Sequence, residues 1–254
     1  MAVDKPAGAD TAHTPAQPGK WRLGMPGVVT VVWALLPTLK VNEALLPLPL
    51  EAVLLLSGLQ TAVLLALAVA LGVWLAPRVG LRAPAVSSWV AGQPAGPALR
   101  AQLVPGLWGG VAGAAWLWLL SRLAPAALQP SDPANAMPLA VKLLYGGITE
   151  ELLMRWGVMT LLLWLGWRLL QRGHGQPGKG LVALAVLLSA LLFALGHLPA
   201  AQALAGVLTM PVVAFVLVGN TVFGLVAGGL FARHGLEAAI IAHFLAHLLA
   251  SPLL

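Results

Sequence analysis

The sequence predicts an all-α, polytopic membrane protein: a transmembrane helical bundle of about seven to eight helices. Three observations carry that prediction. Of 254 residues, 59% are hydrophobic and 9% charged, whereas soluble domains carry roughly 25% charged residues. The mean hydropathy is +0.90. Apolar runs recur at lengths near the ~20 residues that a helix needs to cross the hydrocarbon core. The chain has no cysteine, which excludes a disulfide framework, a thiolate metal site and a thiol nucleophile. Its formal charge of +6 comes from Lys and Arg at the ends of apolar runs. There they set topology rather than form a nucleic-acid patch.

Residues 1–23 are polar and rich in Pro and Ala, and read as a disordered tail without the pattern of a signal peptide. Residues 24–135 hold the N-terminal transmembrane helices, with spans expected at 25–39, 52–76 and 103–120. The segment 44–50, with Pro47 and Pro49, reads as a re-entrant piece or an extension of a neighbouring span. The stretch 77–102, with Arg78, Arg82, Trp89 and Arg100, is expected to lie along the cytoplasmic surface. Residues 136–254 form the second unit, with spans at 139–167, 181–197, 206–231 and 236–254. Small-residue runs such as GGVAGAA and FGLVAGGLFA let membrane helices approach closely.

With seven spans and a cytoplasmic N-terminus, Lys5, Lys20, Arg22, Arg78, Arg82, Arg100, Arg168, Arg172, Lys179 and Arg233 fall inside. Only Lys40 and Arg122 fall outside, which is the asymmetry that orients membrane proteins. The Ala/Gly/Leu bias fits a GC-rich bacterium, so the expected location is multi-pass in the inner (plasma) membrane.

Three places break the apolar background: Glu150, Glu151 and Arg155 in TEELLMR, His197 in FALGH, and His243 and His247 in AHFLAH. Ionisable groups at membrane depth are costly and face a cavity or a partner. Glu151 and Arg155 are four apart and share a helix face. At 3.6 residues per turn Glu150 is turned about 100° from Glu151 and about 140° from Arg155. Arg155 then neutralises Glu151 and leaves Glu150 aimed elsewhere, as the working group. His243 and His247 also share a face, while His13, His174 and His234 read as solvated.

A carboxylate with several imidazoles can activate water against a carbonyl and stabilise the oxyanion, bind a metal that activates water, or relay protons. No serine or cysteine nucleophile accompanies them and there is no H-E-x-x-H. The bland alternative is that the same groups pin helices through buried hydrogen bonds.

In order, EELLMR matches E-E-x-x-x-R, FALGH matches F-x-x-x-H and HFLAH nearly matches H-x-x-x-N/D. The stretch from Val141 onward resembles the CAAX-protease and bacteriocin-processing (CPBP, or Abi) family of intramembrane endopeptidases, which includes type II CAAX prenyl proteases. The resemblance implies a helical bundle and hydrolysis of a peptide bond in a membrane-associated protein or peptide. It makes Glu150 the general base and has His197 hold the water. His243 then stabilises the oxyanion with His247 assisting, and Glu151, Arg155 and Phe193 support. His247 departs from the family's Asn or Asp. It keeps one hydrogen-bond donor, but also improves a zinc site of Glu150, His197, His243 and His247. The metal-free version is the expectation and zinc the alternative; no nucleic acid is expected as a partner.

Two other function classes are compatible: a non-catalytic membrane scaffold or immunity-type protein, and a proton-coupled transporter, which the lack of paired broken helices disfavours. One expectation conflicts with cooperation at the site. The span limits put Glu150 near mid-membrane, His243 about 10 Å from the cytoplasmic side and His197 near the outer side, at about 1.5 Å per residue.

Overall fold

The computed structural model describes residues 48–129 and 137–253. The expected tail 1–23, the span 25–39 and most of 44–50 lie outside the described residues. Among those described there is no strand. The helices are α1 (Leu50–Leu75), α2 (Pro84–Val90), α3 (Ala95–Leu123), α4 (139–170), α5 (Lys179–Gly196), α6 (Leu198–Ala205), α7 (Met210–Arg233) and α8 (Leu236–Ala250). Four stretches are long and apolar enough to cross a membrane: Leu50–Val79, Ala95–Leu123, Lys179–Ala205 and Met210–Arg233. The chain is a multi-pass membrane protein. Leu and Val side chains stand outward along these helices, Leu55, Val104 and Val218 among them, as lipid-facing surfaces require.

Packing follows the small residues. α3 and α8 run parallel, with Gly106 against Ile241, Gly109 against Ala242, Gly110 against Leu245 and Gly113 against Ala246. A Cβ built at Gly113 would come within 2.7 Å of both the Ala246 Cβ and the Phe223 ring. The seam therefore depends on bare backbone, the small-residue packing expected where lipid supplies no hydrophobic drive. α5 and α7 cross at Gly224 on Ala190, and α1 meets α4 where Gly157 lies on Ala68. Trp116 ties α3 to α7 by donating from Nε1 to the Gly219 carbonyl at 2.8 Å.

The stretch 77–102 does not all lie along the surface. Its later part belongs to a long helix, because α3 already starts at Ala95; Pro94 immediately precedes it, and a proline favours a helix start rather than an interior. α7 likewise begins at Met210, not 206, since Gly206 has φ +71°, a backbone conformation that glycine adopts readily and that ends α6.

α4 departs most from expectation. It is α-helical at Leu139–Val141 and Thr160–Leu170, but π-helical over Lys142–Glu150 and Leu152–Met159. The Thr149 hydroxyl donates to the Leu144 carbonyl at 3.3 Å and Thr160 to the Arg155 carbonyl at 3.2 Å. Each reaches five residues back, the spacing of a π turn.

Candidate active site

The expected site residues come together on α4, α5 and α8. Glu150 presents Oε1 to His197 Nε2 at 3.8 Å and Oε2 to His243 Nε2 at 3.9 Å. Glu151 faces the other way and is fully buried. Its Oε2 lies 3.2 Å from Arg155 Nε, and its Oε1 accepts from His243 Nδ1 at 2.7 Å. The Arg155 contact is an ion pair by distance; neither atom has a hydrogen bond of good geometry. The expected pairing of Glu151 with Arg155 is present, with Glu150 turned to the imidazoles, although the turn is wider than the 3.6 residues assumed, because this part of α4 is π-helical.

The expected difference in depth is corrected. His197 closes the last turn of α5, and its Nδ1 donates to the Phe193 carbonyl at 2.8 Å. Helical side chains tilt toward the N-terminus, so the ring turns back into the bundle. α8 also starts inside the bundle. Gly109 faces Ala242, so in register Leu236 matches about residue 103 of α3, ~12 Å past Ala95 at ~1.5 Å per residue. α2 supports that start: the Leu236 N–H donates to the Arg82 carbonyl at 3.0 Å, and Glu237 accepts from the Val86 N–H at 2.9 Å.

Protonation follows from the partners. A carbonyl only accepts, so His197 carries its proton on Nδ1, and the Glu151 carboxylate assigns the His243 proton to Nδ1 likewise. In their neutral forms both rings turn an unprotonated Nε2 toward Glu150. His247 stacks on His243 with centroids 5.1 Å apart and has no hydrogen bond among the described residues, so a neutral imidazole there keeps a ring N–H that no other described group takes up. Phe193 packs edge-on to His197 at 4.6 Å and lies under the Arg155 guanidinium at 4.7 Å, which locks both supporting side chains.

Metal-ligating imidazoles use the same Nδ1 donation, and Glu150, His197, His243 and His247 are the residues that would hold an ion. Ligand atoms about 2.0–2.2 Å from a tetrahedral zinc lie roughly 3.3–3.6 Å from one another, a few tenths of an ångström inside the 3.8 and 3.9 Å between Glu150 and the imidazoles. Among the described residues no group of three His, Asp or Glu is arranged to hold a metal.

A cavity of about 570 Å³ opens on Glu150, His197, His243 and His247, with Tyr145, Lys142 and Asn220 among its otherwise mostly apolar lining. Residue-type reasoning overlooked Gly146, although the pair Gly146–Gly147 just before the two glutamates is a signal of close approach. A Cβ built at Gly146 would lie 3.0 Å from His247 Nε2 and 3.5 Å from His243 Nε2, in the space both nitrogens face. Gly146→Ala is expected to keep or slightly raise thermal stability, since alanine favours helix over glycine. Peptide release should fall roughly 10-fold, less than the ~10²-fold cost of a full 1 Å displacement at a reacting centre, because the His247 ring need give only slightly. Parallel melting and activity assays check both halves. Phe223, whose ring lies 4.6 Å from that of His243, was not legible at all; it sits in an apolar run like any other.

Compared with known proteins, residues 132–249 match the family described as type II CAAX prenyl endopeptidase Rce1-like. This segment belongs to the CAAX-protease family. It is a little under half of the 254-residue chain and takes in all of the site's residues. No curated protein and no solved structure in the comparisons matches the chain. The CAAX-protease segment thus begins just before α4 and carries the α4, α5, α7 and α8 walls of the cavity, while α3 supplies the remaining wall through Leu117 and Leu120.

Proposed function

We propose that the chain is an intramembrane endopeptidase that hydrolyses a peptide bond of a membrane-associated protein or peptide with water activated by Glu150. One observation carries the reading: the Glu150 carboxylate faces two imidazole Nε2 atoms at 3.8 and 3.9 Å while its neighbour Glu151 is occupied by Arg155 and His243. Water between Glu150 and His197 donates one hydrogen to the carboxylate and the other to His197 Nε2. That leaves an oxygen lone pair for the scissile carbonyl. The new C–O bond forms as Glu150 takes the proton. The C–N bond then breaks as Glu150 passes that proton to the leaving amine. His247 N–H stabilises the oxyanion, with His243, held through Nδ1 by Glu151, stacked against the His247 ring to position it. No step is routed through a metal. The membrane is read as a bacterial plasma membrane, with the N-terminus on the cytoplasmic side.

The test compares peptides released from membranes carrying the wild-type chain, His247→Asn and His247→Ala, each with and without a chelator. An amide still donates a hydrogen bond, so His247→Asn is expected to retain most of the activity. His247→Ala is expected to lose about 10²–10³-fold, the effect of removing one oxyanion donor. Chelator should change neither rate. Activity lost to chelator, or lost equally in both variants, would point to a metal ligand at position 247. Membranes that release no peptide dependent on the chain would leave the polar set a packing role.

A further inference from the structure

We propose that the catalytic cavity admits its peptide from the extracytoplasmic face of the membrane, so that its substrates are exported or outer-leaflet segments. The inference rests on the peptidase reading only in calling the occupant a peptide; which face the cavity opens to is a separate matter.

The bundle has two ends, and their charges differ. At one end lie Arg78 and Arg82 after α1, Arg100 near the start of α3, Arg168 and Arg172 at the end of α4, Lys179 opening α5 and Arg233 closing α7. At the other, among the described residues, lie only Arg122 and Lys142; Arg155 is buried between. Loops rich in Lys and Arg stay in the cytoplasm. Interfacial aromatics mark the same end: Trp74 packs at a tilt against Trp164 with centroids 6.1 Å apart and carries the Arg78 guanidinium 4.6 Å above its ring.

The cavity reaches toward the opposite end. Glu150 stands 150 − 139 = 11 residues from the start of α4 and 170 − 150 = 20 from its end at the basic face. Beyond Glu150 the lining continues through Tyr145 to Lys142, to Leu120 near the end of α3 and to Ala200 on α6, with Met137 at the rim. No Arg or Lys of the basic end lines it. On that side the bundle is filled: Met159, Leu163 and Phe231 are each no more than 1% exposed, and α2 is bound beneath the start of α8. A peptide in the cytoplasm meets that filled end, whereas one beyond the far face meets an open cavity.

The native chain has no cysteine, so single cysteines report access without background. Met137→Cys and Ala200→Cys would mark the cavity mouth, and His174→Cys, in the exposed loop between α4 and α5, would mark the basic end. Spheroplasts expressing each full-length variant would be treated with a membrane-impermeant maleimide. The signal would be compared with that after detergent solubilisation, which exposes every site. The expected result is equal labelling of Met137→Cys and Ala200→Cys before and after solubilisation, with loss of nearly all His174→Cys labelling in intact spheroplasts. Labelling of His174→Cys alone in intact spheroplasts would overturn the proposal, and so would mouth cysteines that react only after solubilisation. Glu150→Gln, tested for peptide release in the same cells, separates the two readings. An outward mouth without Glu150-dependent release would sink the peptidase and not the direction of access.

Discussion

Arg155→Ala is expected to lower the stability of the folded bundle by about 3–5 kcal/mol, the cost of removing one partner from a buried ion pair. Both members are out of solvent, Arg155 at 1% and Glu151 at 0% exposure. The substitution would leave the Glu151 carboxylate with the His243 N–H alone and empty the space above Phe193. Thermal unfolding in detergent should show a markedly lower midpoint. A double variant, Glu151→Leu with Arg155→Met, removes both charges and fills the space, and such replacements are often near neutral for stability. It is expected to recover most of the lost midpoint while remaining inactive, because His243 loses the acceptor that fixes its proton on Nδ1. An Arg155→Ala variant that melts with the wild type would show that this ion pair is not what stabilises the buried carboxylate.

Much of this site was legible because membrane sequences penalise charge so heavily. Six ionisable side chains inside apolar runs, in a fixed order, were visible without coordinates, and the four-residue spacing already paired Glu151 with Arg155. The levels of those residues were not legible. Span limits read from hydropathy assume that each helix starts at the bilayer surface, but α8 starts above α2, held by the Arg82 carbonyl and Glu237. The depth of His243 thus depends on a short helix 150 residues earlier in the chain, which no local pattern reports. The π-helical turns of α4 were hidden for a related reason. They are associated with close packing at Gly146, Gly147 and Gly157, and composition shows the glycines without saying which neighbour they admit. The start of α3 at Ala95 was missed because its first turns, with Arg100 and Gln102, are too polar for a span search. Gln102 is nevertheless buried, within a helix that continues below the apolar stretch.

The central claim is that Glu150, the acid that faces the cavity's imidazoles, is free to act as a base, so the most direct measurement sets the catalytic and structural consequences of Glu150→Gln side by side. Glutamine keeps the shape and a hydrogen-bonding capacity but cannot take a proton from water. With Glu150 16% exposed to the cavity and no ion-pair partner closer than 3.8 Å, its charge contributes little to holding the bundle together. Wild-type and Glu150→Gln chains, purified in parallel, would be compared by melting midpoint and by peptide release from membranes. The expected result is an unchanged midpoint with release lowered at least 10²–10⁴-fold, the range that general acid–base groups supply. Full release from a stable Glu150→Gln chain would contradict the account, and so would a midpoint that falls in step with activity.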